Sequence, residues 1–298
     1  MRRVHAVVAA WALVFAACIA GSVLDPRPAR PVERRAGYRV LEADFHAHTR
    51  FSDGFLSPID LVDQAGRRGL DVIAVSEHNQ TFPAKIARAY ARIANGPTVV
   101  VAEEITTLDY HLLAIGIDHE VDASRPLREV IADVHAQGGV IAAAHPTHRF
   151  SKPLYAVAGD LDATEVMHPI AYQKDGSGIG YWSEMRDFYL DAKANGHELA
   201  PLGDSDYHMG SVLGLVRTYV FANGDSEADV VDAIKAKRTV VFDLDGRGYG
   251  DSELVRALER APLAPRAADY GYRGAGTVDL VFRSLGVAGD VGLVFVGV

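Results

Sequence analysis

The 298-residue chain has a single cysteine, Cys18. This excludes an intramolecular disulfide and a thiolate metal cluster, so any metal ligands must be nitrogen and oxygen atoms. Neither a GxGxxG nor a GxxxxGK(S/T) loop follows the first predicted strand, which argues against a nucleotide-binding loop. The chain carries −9 overall and residues 1–35 carry +4, so the remainder carries −13 and has no basic run interleaved with aromatic residues. We therefore expect no long nucleic acid as a partner, because such binding depends on cationic contacts to phosphate.

The first 24 residues form a segment of their own. Arg2 and Arg3 precede an apolar stretch over residues 4–24, and residues 25–37 form a linker rich in proline and arginine. A positive start followed by an apolar stretch is typical of a signal peptide or an uncleaved membrane anchor. About 20 apolar residues are enough to span a bilayer. We expect an exported, periplasmic or extracytoplasmic protein, with membrane association through residues 4–24 if the segment is retained.

Residues 38–250 alternate short apolar runs with stretches that have helical periodicity. Strands are predicted at 40–45, 70–75, 98–102, 111–117, 140–144, 162–167, 198–202, 217–222 and 239–243. Helices are predicted at 59–68, 82–94, 125–137, 182–194 and 226–237. Fully apolar strands separated by helices predict a parallel sheet that is covered on both faces. Residues 251–298 contain several prolines and glycines and are interpreted as a tail of unclear structure.

Six short motifs place side chains suited to metal binding at the ends of predicted strands. In chain order they are Asp44-Phe45-His46-Ala47-His48 with Asp53, Ser76-Glu77-His78-Asn79, Ala102-Glu103-Glu104-Ile105-Thr106, His111, Ala144-His145-Pro146 and Asp204-Ser205-Asp206-Tyr207-His208. Imidazole and carboxylate ligands together suit zinc, manganese and iron. In an open sheet these strand ends would be spread along a line, whereas in a barrel they converge on one mouth. The motifs therefore predict a barrel with a multinuclear metal site.

In this order, the motifs resemble those of the polymerase-and-histidinol-phosphatase (PHP) family of metal-dependent phosphoesterases, in particular its small stand-alone hydrolases. The resemblance covers roughly residues 38–243 and implies a distorted (β/α)7 TIM-like barrel with two or three divalent ions (Zn, Mn or Fe). It implies His46, His48, Glu104 and Asp206 as ligands of a first ion, Glu104, His111 and His145 of a second, and Asp53, His78 and His208 of a third. Glu103 and Asp204 stand beside two of these ligands, and only motif register favours Glu104 and Asp206.

The activity implied by the resemblance is hydrolysis of a small phosphomonoester or phosphodiester by a hydroxide that bridges the ions. His145, Asp206 and His208 are then catalytic residues as well as ligands. Arg149 is the candidate for orienting the phosphate, because a bidentate guanidinium is the better clamp; Arg50, His148 and Lys152 are the other positive side chains near the predicted mouth. Two alternatives stay open: hydrolysis of an amide, carbamate or other ester at the same site, and a non-catalytic metal-containing surface binding protein.

Three further features are interpreted from their position alone. Glu165 lies in a predicted strand and either points into the barrel or steadies a ligand imidazole from outside the ligand set. His168 follows the end of the same strand and is a candidate for lining the site. Residues 169–180 are interpreted as a mobile lid, and the aromatic residues of the following helix as packing residues.

Overall fold

The computed structural model describes residues 2–24, 31–168, 182–208, 212–243 and 245–263, together with residues 281, 284 and 285. Its strands are β1 (Glu33–Arg35), β2 (Tyr38–Asp44), β3 (Val72–His78), β4 (Thr98–Thr106), β5 (His111–Ile115), β6 (Val140–Ala143), β7 (Ala163–Met167), β8 (Ala200–Gly203), β9 (Thr218–Ala222), β10 (Thr239–Phe242) and β11 (Gly248–Gly250). Its helices are α1 (Arg2–Leu24), α2 (Pro58–Arg67), α3 (Phe82–Ala94), α4 (Leu127–Ala136), α5 (His148–Tyr155), α6 (Trp182–Ala194), α7 (Glu227–Lys235) and α8 (Ser252–Arg260).

The strands form one mixed sheet in the order β11-β10-β9-β2-β3-β4-β5-β6-β7-β8, with β1 paired to β2. The pairs β2–β3, β3–β4, β6–β7 and β7–β8 are parallel, whereas β5 runs antiparallel to both β4 and β6, and β9 and β10 also pair antiparallel. The prediction of a parallel sheet was therefore wrong for β5, β9 and β10. For β5 the physical reason is the four-residue connection from β4, which is too short for a parallel crossover and forms a hairpin instead.

The sheet curves into a nearly closed, TIM-like barrel, as predicted. At the seam, the backbone N–H of Gly203 in β8 donates to the hydroxyl of Thr218 in β9 at 2.8 Å. Just beyond the strand ends, Ala47 and Tyr207 form a parallel bridge. In that bridge the His48 N–H donates to the Tyr207 carbonyl, and the Tyr207 N–H donates to the His46 carbonyl. The first and last metal-binding motifs are thus joined directly across the mouth of the barrel.

Side-chain alternation along the strands separates the barrel interior from the helical layer. In β3, Val72 and Ala74 point inward, whereas Ile73 and Val75 belong to the apolar cluster beneath α2 and α3. In β4, the inward residues are Val100 and Ala102. Because alternation has period two, Glu104 continues this inward face and Glu103 does not. The strand register therefore decides which of these two adjacent carboxylates reaches the mouth.

The helix ends follow the predicted signals. Ser57 caps α2 by accepting the N–H of Asp60, and Pro58 occupies the first turn. Ser226 forms a capping box with Asp229 at the start of α7. Asn95 ends α3 in the left-handed conformation. Such caps satisfy backbone groups that have no partner within the helix, which explains why the sequence locates these boundaries well.

Four short elements, β1, β11, α5 and α8, were not predicted from the sequence. The end of the linker forms β1, α5 follows the Ala144-His145-Pro146 motif, and β11 pairs with β10. The segment from Asp251, interpreted as a tail of unclear structure, begins with α8, where the Asp251 side chain accepts the N–H groups of Glu253 and Leu254. Leu254 and Leu258 pack with strand residues of the barrel, so α8 belongs to the barrel unit. Among the residues that are described, no helix has the length and apolarity needed to cross a membrane.

Candidate metal centre

The nine predicted ligands come together at the carboxyl ends of the parallel strands. Every one of them has a ring nitrogen or carboxylate oxygen within 3.6 Å of another member of the set. We call this group the ligand cluster; its members are His46, His48, Asp53, His78, Glu104, His111, His145, Asp206 and His208. They lie in the loops after β2, β6 and β8, at the last residue of β3 and in the β4–β5 hairpin. The barrel thus converts strand-terminal motifs that are far apart in sequence into one site.

Glu104 is the centre of the cluster. One of its oxygens, Oε1, lies 2.8 Å from Nδ1 of His111 and 3.1 Å from Nε2 of His145. Its other oxygen, Oε2, lies 2.8 Å from Nδ1 of His78 and 3.5 Å from Nε2 of His48. The two oxygens of this buried carboxylate thus face imidazoles on both sides of Glu104.

Asp206 faces the first histidine pair. Its Oδ1 atom lies 3.2 Å from Nε2 of His46 and 3.4 Å from Nε2 of His48. The same oxygen is 3.3 Å from Nδ1 of His208, two residues further along the chain. Asp206 has a φ of 44°, an uncommon value for a residue other than glycine. Such backbone strain in a structure is often found at functional sites.

Asp53, His78 and His208 form the outer side of the cluster. Oδ1 of Asp53 lies 3.3 Å from Nε2 of His78 and 3.2 Å from Nε2 of His208. His48 stacks on the His208 ring, with centroids 4.2 Å apart, and completes a four-residue group with these three side chains. Two further groups have donor atoms within 4.8 Å of one another, namely His46, Glu104 and His145, and His46, His48 and Asp206. These groups overlap with the three predicted ligand sets but do not coincide with them, because His46 and His48 are each shared.

The electrostatics of the cluster favour bound cations. Burial opposes the charge of Glu104, but His46 and hydrogen bonds from His111 and His145 outweigh it and hold the pKa of Glu104 well below its usual range. The pKa of Asp206 is likewise held well below its usual range, since the neighbouring imidazoles outweigh its burial. Burial also disfavours a charged His145, yet the carboxylates around it raise its pKa to about 9. Protons on imidazoles thus provide the positive charge that divalent ions would provide.

The buried nitrogens of the first histidine pair provide a test of whether the site fits metal ions. Within the described part of the chain, Nε2 of His46 and both ring nitrogens of His48 are buried and make no hydrogen bond. Burial lowers the pKa of His48 to about 4, which favours the neutral form of the ring that metal coordination requires. A buried nitrogen without a hydrogen bond costs free energy, and metal coordination would remove that cost. The donor set therefore fits borderline divalent ions such as zinc, manganese or iron.

Glu165 forms hydrogen bonds to two members of the ligand cluster. Its Oε1 atom lies 2.8 Å from Nδ1 of His46, and its Oε2 atom accepts the backbone N–H of His145 at 2.5 Å. His145 has a φ of 25°, so this hydrogen bond holds a strained peptide. Of the two positions expected for Glu165, the structure thus shows contact with a ligand imidazole. His168, the neighbouring candidate, is 4% exposed, and its ring lies 5.8 Å from the His145 ring.

Two buried aspartates tie the first motif to the last. Asp204 Oδ1 accepts the N–H of Phe45 at 2.6 Å, while Asp44 Oδ1 accepts the N–H of Ser205 at 3.0 Å. Asp44 Oδ2 also accepts the N–H of Gly214. Burial and the nearby carboxylates raise the pKa of Asp204 well above its usual range. Of the two carboxylates left open by the sequence, Asp204 thus links loops, whereas Asp206 faces the cluster.

Glu103 and Glu77 also point away from the cluster. Glu103 accepts the N–H of Val121 at 2.7 Å, on the helical side of β4. Glu77 accepts the backbone N–H of Thr49 and the hydroxyl groups of Thr49 and Ser52, so it orders the loop that carries Asp53. Sequence reasoning missed these loop contacts of Glu77, Asp44 and Asp204. In each case the only sign in the sequence was an acidic residue next to a motif residue. The alternation of side chains along a strand does not tell which loop group that carboxylate will contact.

The predicted phosphate-binding cations are only partly described. The backbone of Arg149 lies in α5, but its side chain and that of His148 are outside the described residues. Arg50 donates to the backbone carbonyl of Phe55 on the loop after β2. The predicted lid, residues 169–180, also lies outside the described residues. Of the aromatic residues of α6, Phe188 and Tyr189 pack in the core as expected.

The sequence matches no protein-family model. It is 26% identical, over 147 residues, to an uncharacterized protein of Methanocaldococcus jannaschii; the match covers 46% of this chain and 85% of that protein. A crystal structure from Bifidobacterium adolescentis shows a proposed metal-dependent phosphoesterase. The match to it covers 69% of this chain and 98% of that one, at 23% identity and a TM-score of 0.46.

A crystal structure from Bacteroides vulgatus is the most informative of these comparisons. It shows a two-domain protein that contains a predicted PHP-like metal-dependent phosphoesterase. The match has a TM-score of 0.64 at 24% identity and covers 79% of this chain and 74% of that one. At this level of identity the similarity concerns the fold. The chain therefore has the distorted, TIM-like barrel fold that it shares with this PHP-like protein.

Proposed function

We propose that the protein is a metal-dependent phosphoesterase of the PHP type, which hydrolyses a small phosphomonoester or phosphodiester. The observation that carries the proposal is the ligand cluster, in which six imidazoles and three carboxylates meet at the mouth of the barrel. Enzymes with barrel folds keep their chemistry at this end of the strands. The proposal is supported by the fold shared with a predicted PHP-like phosphoesterase.

The chain's own residues orient the imidazoles before any ion binds. Glu165 accepts the proton on Nδ1 of His46, which directs Nε2 of that ring toward Asp206 and Glu104. The carbonyl of Asp206 lies 2.9 Å from Nδ1 of His208, which likewise turns Nε2 of His208 toward Asp53. Fixing one ring nitrogen selects the tautomer that leaves the other free to coordinate. The site is therefore organised for coordination through Nε2 at these two histidines.

Divalent ions held by these residues would stabilise negative charge on a phosphoryl group and favour ionisation of an attacking water near neutral pH. Asp206 and Glu104 are 6% and 1% exposed, so bulk water is largely excluded from the floor of the site. Low solvent access strengthens electrostatic interactions with the reacting group. Asp53 and His78 are more exposed and lie on the side from which a substrate can approach.

Arg149 remains the proposed group for orienting the phosphate. A guanidinium that binds substrate without binding metal should affect the Michaelis constant more than the metal content. We expect Arg149→Ala to raise KM while the metal content stays at the wild-type value. Unchanged kinetics on the best substrate would remove this role.

The test of the proposed function is a substrate panel on purified protein of known metal content. Bis-p-nitrophenyl phosphate, p-nitrophenyl phosphate and an aryl carbamate are compared with added manganese, and metals are measured by elemental analysis. We expect turnover of at least one phosphate ester, abolished in His48→Ala and retained in His119→Ala, an exposed histidine outside the cluster. Circular dichroism and thermal melting show whether His48→Ala still folds. Hydrolysis of the carbamate alone would favour amide or ester chemistry, and metal binding without turnover of any substrate would favour a binding protein.

We further propose that the protein is exported and that residues 4–24 direct it across or to the membrane. The proposal is supported by the arginine pair followed by an apolar segment, which forms α1 (Arg2–Leu24). Cell fractionation of the full-length chain, with amino-terminal sequencing of the product, tests it. Recovery of the intact chain in the cytosol would contradict the proposal.

A further inference from the structure

An exposed apolar surface borders the ligand cluster on one side. Within the described part of residues 38–260, six large hydrophobic side chains are exposed. Four of them follow the carboxyl ends of β2, β3 and β4, and we call these the apolar rim: Phe51, Phe55, Phe82 and Leu108. Their exposed fractions range from 47% for Phe51 to 82% for Leu108. Because exposed apolar side chains are normally scattered, such a concentration beside a polar site calls for a physical explanation.

The rim is held together by contacts between the loops that carry it. The Phe51 and Phe82 rings meet edge to face, with centroids 6.0 Å apart. The side-chain amide of Gln80 donates to the backbone carbonyl of Phe51 at 3.2 Å. Asn79 accepts the Thr106 N–H and donates to the Thr106 carbonyl, which joins the loop after β3 to the β4–β5 hairpin. Because of these links, the three loops that carry the apolar rim hold defined positions relative to one another.

The rim is continuous with the outer side of the cluster. Asp53 lies between Phe51 and Phe55 in sequence, and its carboxylate contacts His78 and His208. Phe82 follows His78 by four residues, at the start of α3. A phosphoryl group held by the cluster would therefore have its organic group next to these aromatic rings if it extended on this side.

We propose that the apolar rim binds the organic group of the substrate, so that the site prefers phosphate esters with a flat apolar group, such as an aryl or arylalkyl ester. This inference rests on the proposed phosphoesterase function. Contact with the rim removes apolar surface of both the ligand and the phenylalanine rings from water, and aromatic pairs add an edge-to-face attraction. Contact with two half-exposed rings is expected to give a preference of roughly tenfold.

The kinetic test compares benzyl phosphate with methyl phosphate on the metal-loaded, full-length protein. Both esters release an alkoxide of similar basicity, so the ratio of their kcat/KM values reports contacts to the ring rather than the leaving group. We expect Phe51→Ala and Phe82→Ala each to lower kcat/KM for benzyl phosphate roughly five- to tenfold and to leave methyl phosphate nearly unchanged. Ile93→Ala is the matched control, since Ile93 is 69% exposed on α3 but about 16 Å along the helix from Phe82.

A binding test makes the inference independent of turnover. Calorimetry measures benzylphosphonate and methylphosphonate on the same metal-loaded proteins, because neither compound has an ester bond to hydrolyse. We expect benzylphosphonate to bind roughly tenfold more tightly than methylphosphonate, and Phe51→Ala to remove most of this difference. If this result is found but no phosphate ester is hydrolysed, the phosphoesterase proposal fails and the apolar rim stands as a ligand-binding surface.

The opposite results overturn the inference. If both esters are hydrolysed and their ratio is unchanged in Phe51→Ala and Phe82→Ala, the rim has no role in substrate choice although the phosphoesterase proposal stands. Equal binding of the two phosphonates, or no binding of either, also overturns it. Loss of vesicle binding or of self-association in these variants, with no change in the benzyl-to-methyl ratio, would assign the rim to a membrane or to a second copy of the chain.

Discussion

Replacing Glu165 by glutamine tests how far the ligand cluster depends on a carboxylate that is not itself a predicted ligand. Glu165 is fully buried and accepts from two donors at once, Nδ1 of His46 and the backbone N–H of His145. A glutamine has one acceptor oxygen and one donor nitrogen. In either orientation of the amide, one of the two donors would face an N–H group. If that donor is on His46, the ring must shift its proton to Nε2 and can no longer coordinate through that atom.

Two independent estimates of the free-energy cost of Glu165→Gln agree in size. Leaving a buried donor unsatisfied costs about 1–3 kcal/mol. Loss of a hydrogen-bond partner behind a metal-binding histidine typically weakens metal affinity about 10- to 100-fold, which corresponds to about 1.4–2.7 kcal/mol. We therefore expect Glu165→Gln to fold and to bind manganese or zinc about 10- to 100-fold more weakly than the wild type.

Chelator competition on the metal-free proteins measures this affinity directly. Nitrogen NMR of labelled histidine in the zinc-loaded proteins reports which ring nitrogen of His46 carries the proton. Glu198→Gln is the control, because Glu198 is exposed at the opposite end of the barrel, before β8. Wild-type metal affinity together with an unchanged His46 tautomer in Glu165→Gln would refute the reasoning.

Three further results are expected. In Gly54→Ala the added Cβ would overlap the backbone carbonyl of His48, so the loop around residue 53 must shift. A metal titration should then show a lower affinity at one class of metal site than at the others, and an equal loss of affinity at all sites, or no loss, would be inconsistent with this. Arg217→Ala removes the guanidinium that lies 2.5 Å from the buried carboxylate of Glu42. Urea denaturation should therefore show a loss of about 3–5 kcal/mol in the free energy of unfolding, and a loss below about 1 kcal/mol would contradict this expectation. Burial raises the pKa of Glu103 from 4.5 to about 7, so the folded state binds this proton more tightly than the unfolded state, and stability falls as the pH rises from about 4.5 to about 7. Glu103→Gln should reduce this fall by roughly 2–3 kcal/mol, measured by denaturation at pH 5 and pH 8. An unaltered pH dependence would refute the assignment.

Matched variants help to separate these effects from general loss of stability. Arg39 pairs with Asp225 at 2.9 Å, and both side chains are partly exposed, so Arg39→Ala should cost at most about 1 kcal/mol. The comparison with Arg217→Ala therefore shows how much more a buried ion pair, with its two backbone hydrogen bonds, contributes than an exposed one. For the pH experiment, Asp118→Asn changes an exposed carboxyl and should leave the stability profile unchanged.

Much of the site was predictable because its motifs are local. His46 and His48 follow one strand directly, and motif register favoured Glu104 over Glu103, a choice that agrees with the inward face of β4 in the structure. The caps at Ser57 and Ser226 depend on residues within one helical turn, so the helix boundaries were also predictable. The prediction of a parallel sheet was wrong for β5, β9 and β10 because a run of apolar residues has no direction of its own. A four-residue turn decides the direction of β5, and α8 was missed because its two leucines become meaningful only against the strands they cover.

The sequence by itself determined the types of ligand, their order along the chain and the alternation of strands and helices, since these properties depend on residues a few positions apart. Only the tertiary structure decided that Asp204 ties Phe45 while Asp206 faces the imidazoles, and that Glu165 joins His46 to His145. It also brought Phe51 and Phe82 together beside the cluster. The physical reason is that these contacts join segments from about 20 to 160 residues apart, whose proximity follows from closure of the barrel rather than from any local preference.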